Sequence, residues 1–138
     1  MDKVVFSLLV ENSSGVLSRV AGLFTRRGYN IDSIAAGVTA DPKFTRITVV
    51  ARGDEIILEQ IEKQLNKLED VVDIKKLLPD SSVCRELVLL KVLCDAGNRQ
   101  NIISIADIFR AKSVDVSIDS LGIELGGALK NVIALAAG

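Results

Sequence analysis

The sequence predicts an α+β chain built of two small related units. Three observations carry this reading. Short β-branched apolar runs alternate with stretches of helical period. From Val4 to Leu77 their order is strand, helix, strand, strand, helix, strand. After a polar break at Pro79-Asp80-Ser81-Ser82 the pattern starts again. The boundaries that follow are residues 1–78 for the first unit and 83–138 for the second.

Val4–Val10 is apolar and β-branched, a strand, and Glu11-Asn12-Ser13-Ser14-Gly15 is a polar turn. From Val16 the period changes: Leu17, Val20, Ala21 and Phe24 fall on one helical stripe, and Gly28 stops the helix. Tyr29–Ala35 is a second strand that runs on towards Thr39, and Asp41-Pro42-Lys43 is a turn. Arg46–Arg52 is a third strand, broken by Gly53, with Asp54 placed to cap the next helix. Ile57, Leu58, Ile61, Leu65 and Leu68 form that helix's apolar stripe, and Val71–Leu77 is the fourth strand. The order is βαββαβ, the ferredoxin-like unit: a four-stranded antiparallel sheet with two helices on one face.

The second half reads as a strand over Leu87–Leu93 and a helix over Asn98–Arg110, with Ile102, Ile105, Ala106 and Phe109 inside. Strands over Ser113–Ile118 and Leu121–Leu125 flank an Asp119-Ser120 turn, and Ala128–Ala137 has a helical pattern. No fourth strand follows, so the second ferredoxin-like domain is expected to be C-terminally truncated. When the halves are superposed, Asn12 falls on Gly97, Gly15 on Gln100 and Asn30 on Asp115. The second unit therefore lacks the amides and the glycine of the first and should be a poor copy of any site there.

Composition narrows the function. A net charge of −1 argues against a polyanion partner, and only 4% aromatic residues leave no platform for stacking bases. An RNA-binding module of the same βαββαβ order would need an aromatic pair on its middle strands, which Val4–Val10 and Arg46–Arg52 lack. The chain has no histidine, which removes the commonest general base and the commonest metal ligand. Cys84 and Cys94 fit no zinc pattern and should be buried reduced thiols. Met1-Asp2-Lys3 leads straight into a strand with no secretory pattern, and no apolar run is long enough to span a bilayer. A cytoplasmic protein without catalytic, metal or membrane-anchoring machinery is the expectation.

One loop carries recognisable chemistry. Asn12-Ser13-Ser14-Gly15 leads into a helix whose N-terminal N–H groups and dipole suit a carboxylate. Gly15 allows close approach to the backbone, and Asn12 offers an amide donor and acceptor. Asn30 begins the second strand. Ordinary capping by Asn12, Ser13 or Ser14 accounts for the same residues.

The stretch Leu8–Val20 resembles the opening of the ACT domain in the small, regulatory subunit of acetolactate synthase (acetohydroxyacid synthase). Gly22-Leu23-Phe24-Thr25-Arg26-Arg27-Gly28-Tyr29-Asn30-Ile31 continues that likeness and is its most specific part. Gln60–Leu68 is also similar, as are Arg85–Leu89, Asp107–Lys112 and Val114–Val116 in the second half. The resemblance implies a non-catalytic subunit that binds and activates the catalytic large subunit. It implies feedback sensitivity to a branched-chain amino acid, usually valine. The thiamine diphosphate, magnesium and FAD of the reaction would sit in the large subunit and none in this chain. Two ACT units would pair across chains as a homodimer, with the effector between them. Its contacts would fall on Asn12, Gly15 and Asn30, on the N–H groups of Val16 and Leu17, and on Ile31 in the apolar pocket. A free-standing amino-acid sensor acting on another enzyme or regulator is the alternative, separated from the first by co-purification with a thiamine diphosphate enzyme.

Overall fold

The computed structural model describes residues 2–127. The chain divides into two compact units, Met1–Ser82 and Val83–Gly138.

In the first unit, β1 (Asp2–Glu11), α1 (Val16–Arg27), β2 (Asn30–Val38), β3 (Phe44–Gly53), α2 (Glu55–Leu65) and β4 (Val71–Leu77) follow in the order read from the sequence. The sheet order is β2-β3-β1-β4, antiparallel throughout. Alternation on the two central strands explains the packing. Phe6, Leu8 and Val10 of β1 and Ile47, Val49 and Ala51 of β3 all point to one face and are buried. Val16, Val20, Leu23 and Phe24 of α1 and Leu58, Ile61 and Leu65 of α2 close that face.

Two devices fix the helix ends. Gly28 takes a left-handed conformation, φ 69°, and stops α1. Asp54 accepts the Ile57 N–H at 2.9 Å and caps α2. Gly53 is the last residue of β3 rather than a break before its end. Leu68 lies beyond the end of α2, in the turn towards β4, yet still packs against the core.

The second unit has β5 (Glu86–Leu93), α3 (Arg99–Ile108), β6 (Lys112–Val116) and β7 (Ser120–Gly127), in the sheet order β5-β7-β6. The outer edge of β5, the counterpart of the β1 edge that β4 fills, has no strand partner among the described residues. The helical pattern at Ala128–Ala137, and with it the expected incompleteness of this domain, lies outside them.

Several expectations for this half need correction. Ile105 and Phe109 are exposed rather than inside; Ile102, Ile103 and Ala106 pack against the buried Cys94, Leu121 and Ile123. The reason is that α3 carries apolar residues on both sides, so its period leaves the inward face undecided. The sheet decides it through β7, whose Leu121, Ile123 and Leu125 are buried. The helix starts at Arg99 and ends at Ile108, and Arg110 just beyond has φ 55°. Ser120 is buried and opens β7 instead of belonging to the turn. Ser117 and Ile118 lie beyond the end of β6. Cys84 is exposed, because it precedes β5 in the connection between units, while Cys94 is buried.

Candidate effector site

The loop between β1 and α1 enters its helix in an unusual way. Gly15 occupies the N-cap position with φ 82°, a left-handed conformation, and no side chain caps the helix. There is no acidic residue in the first turn. Capping by Asn12, Ser13 or Ser14 is therefore not what these residues do. The first-turn N–H groups of α1 are left without a side-chain acceptor, which is the electrostatic condition for receiving an anion.

Asn12 is committed elsewhere. Its Nδ2 donates to the Pro42 carbonyl at 2.9 Å, and its Oδ1 accepts from the Thr45 hydroxyl at 3.2 Å. The Asn12 N–H donates to the Lys43 carbonyl at 2.8 Å. Asn12 thus ties the loop to the β2–β3 turn and the start of β3. One proton of its amide and one lone pair of its carbonyl remain for another partner.

Beside this loop lies an open pocket of about 260 Å³. Val10, Val16, Leu17, Ala36, Val38 and Ile47 supply apolar wall, and Glu11, Asn12, Ser13 and Thr45 supply polar atoms. Of the residues singled out from the sequence, Asn12, Val16 and Leu17 line it, with Gly15 adjacent in the chain. The sequence reading missed Ala36, Gly37, Val38, Thr45 and Ile47. Strand pairing brings them in: Thr45 faces Val10 across β1–β3, and Ile47 faces Leu8 on one side and Ala36 on the other.

Asn30 and Ile31 are not in this pocket. They begin β2, and Ala36–Val38 end it. At about 3.3 Å per residue the two ends of this strand lie roughly 25 Å apart. Both β1 and β2 pair antiparallel with β3, so they run parallel to each other, and the start of β2 lies level with the start of β1, at the far end of the sheet from Asn12. At that far end Asn30 Nδ2 donates to Asp32 Oδ1 at 3.1 Å, and Arg52 Nε binds Asp32 Oδ2 at 2.6 Å.

The equivalent loop of the second unit is satisfied internally. Asp95 Oδ1 accepts from the N–H groups of Gly97 and Asn98 at 2.8 and 2.9 Å. Asn98 Oδ1 in turn accepts the Asp95 N–H at 2.7 Å. The Asp95 carboxylate thus occupies the loop ahead of α3, although α3, like α1, has no side-chain cap. Among the described residues no group of three or more Cys, Asp or Glu side chains could hold a metal ion, and no helix is long and apolar enough to cross a membrane.

The first unit is an ACT-type module. Residues 6–73 match the family model of the AHAS small subunit-like ACT domain, and residues 85–137 match that of the small subunit of acetolactate synthase. A probable acetolactate synthase small subunit of Methanothermobacter thermautotrophicus is 48% identical over 134 residues, covering 96% of this chain and 80% of that protein. The acetolactate synthase small subunit of Mycobacterium avium is 50% identical over 129 residues, covering 94% and 77%. The crystal structure of the Thermotoga maritima small subunit superposes with a TM-score of 0.89 at 40% identity, covering 99% of this chain and 86% of that one. The chain belongs to the acetolactate synthase small-subunit family.

Proposed function

We propose that the first unit binds a branched-chain amino acid, valine foremost, and that the chain conveys its presence to an acetolactate synthase large subunit, which it also activates. The observation that carries this reading is the helix start of α1, uncapped by any side chain, at the mouth of an apolar-walled pocket. The effector's carboxylate would meet the N–H groups of Val16 and Leu17. Its ammonium would meet the free lone pair of Asn12 Oδ1, and its branched side chain the wall of Ala36, Val38 and Ile47. Hydrogen bonds to charged groups contribute about 1.5–3 kcal/mol each, so two or three supply the affinity of a metabolite sensor.

Asn30 and Ile31 join this site through a homodimer. β2 is an edge strand of nine residues, and all but Ile31 are exposed. Such an edge invites pairing with another chain. Antiparallel pairing of two β2 strands would bring the Asn30 end of one chain against the Val38 end of the other. Each pocket would then be completed by Asn30 and Ile31 of the second copy. The thiamine diphosphate, magnesium and FAD of the reaction would belong to the large subunit, in the cytoplasm, and the chain itself would carry out no chemistry.

The test is capture of the large subunit on this chain, followed by acetolactate formation with and without valine. Activation on mixing and loss of activity with valine support the reading. Failure to associate with any thiamine diphosphate enzyme would favour a free-standing sensor.

A further inference from the structure

We infer that Arg19 is the positioning residue of the effector loop, and that it acts through Asp70. This inference rests on the reading of that loop as the effector site. A helix start that must present its N–H groups to a ligand cannot use a side-chain cap, because the cap would occupy them. Its loop needs another anchor at each end. Asn12 supplies the upstream one.

The downstream anchor comes from one turn inside α1. Arg19 follows Gly15 by four residues, so its side chain lies on the same face and leans back towards the N-terminus. Its Nη2 donates to the Ser14 carbonyl at 3.4 Å, and its Nε donates to Asp70 Oδ2 at 2.6 Å. Asp70 grips the other side of the loop as well, since its backbone carbonyl accepts the Glu11 N–H at 2.9 Å. Asp70 therefore binds the end of β1 and the first turn of α1 together, with the loop between them. The guanidinium also lies over residue 15: a Cβ placed on Gly15 would come within 2.9 Å of Arg19 Nη1.

A cation in the first turn of a helix opposes the dipole. The Asp70 carboxylate offsets it, and their hydrogen bond holds the guanidinium more firmly protonated than an isolated one. Arginine suits this place better than lysine because its planar fork donates in two directions at once. A preorganised loop loses less freedom when the ligand binds, which is where the affinity gain arises.

An alternative role makes the opposite prediction. If Arg19 served as a charge for the effector carboxylate, removing Asp70 would free it and tighten binding. If it positions the loop, removing either partner loosens the loop and weakens binding.

The experiment compares Arg19→Gln, Arg19→Lys, Asp70→Asn and the double variant Arg19→Gln/Asp70→Asn in the full chain. Amide exchange over Ser13–Val16 is read without ligand, and valine affinity is read by calorimetry. We expect faster exchange in both single neutralising variants and about a tenfold loss of affinity in each, with little further loss in the double variant. Arg19→Lys should fall between them and the wild type. Tighter binding in Asp70→Asn, or unchanged loop exchange in Arg19→Gln, overturns the inference. Should the wild type bind no valine, the effector reading fails, and the exchange measurement alone still decides whether Arg19 holds the loop.

Discussion

Substituting Gly15 separates backbone strain from steric displacement, because the chain offers a matched control. Two glycines bracket α1 and both have positive φ: Gly15 at 82° and Gly28 at 69°. A side chain in left-handed geometry costs about 1–2 kcal/mol, so Gly15→Ala and Gly28→Ala should each lose that much stability. Their surroundings differ. Nothing lies within 4 Å of a Cβ on Gly28, whereas a Cβ on Gly15 meets Arg19 Nη1 at 2.9 Å. Only Gly15→Ala must also displace the guanidinium and disturb the loop. Denaturant unfolding should therefore show comparable destabilisation of the two variants. Calorimetry should show valine binding reduced tenfold or more, about 1.4 kcal/mol, in Gly15→Ala alone. Gly15→Asp should do more harm, since it adds a negative charge where a carboxylate docks. Equal valine affinity in Gly15→Ala and Gly28→Ala would refute the placement of the site.

Other substitutions test single parts of the account. Gly22 lies within α1 with nothing within 4 Å of a Cβ, so Gly22→Ala should stabilise the protein by about 0.5–1 kcal/mol in thermal unfolding. Asp54→Ala removes the α2 cap and should cost about 0.5–2 kcal/mol without altering effector affinity, as unfolding and calorimetry together will show. Phe24 is 1% exposed, and Phe24→Ala should cost about 3–5 kcal/mol, measured as a lowered denaturant midpoint of the first unit. Asn30→Ala should leave stability nearly unchanged yet weaken valine binding, provided the dimer brings it to the pocket of the second copy; sedimentation at matched concentrations reads the association.

Much of the fold was legible because local signals agreed with each other. Val71–Leu77 mixes the β-branched Val71, Val72 and Ile74 with charged residues, is preceded by the polar Glu69-Asp70 pair, and forms β4 over those residues. Gly28 and Asp54 act as the helix stop and cap that their chemistry suggests. Signals were weaker where apolar residues surround a helix. In α3, Ile102, Ile103, Ile105, Ala106 and Ile108 leave no single stripe, and only packing on β7 turns Ile102, Ile103 and Ala106 inward.

At the candidate site the loop itself was legible, since a glycine before a helix and an amide nearby are local features. The pocket wall was not. Ala36, Val38, Thr45 and Ile47 reach it through strand register, which sequence order does not print. The commitment of Asn12 to Pro42 and Thr45 likewise depends on a contact across some thirty residues of chain, 30 and 33 positions away. The separation of Asn30 from Asn12 follows from topology alone, because the βαββ order makes β1 and β2 parallel.

Calorimetric titration of the full chain with valine decides whether the first unit holds an effector. We expect one saturable site per chain, in the first unit, lost in Gly15→Asp and kept in Asp95→Asn, whose loop belongs to the second unit. No saturable binding, or binding unchanged by Gly15→Asp, would contradict it.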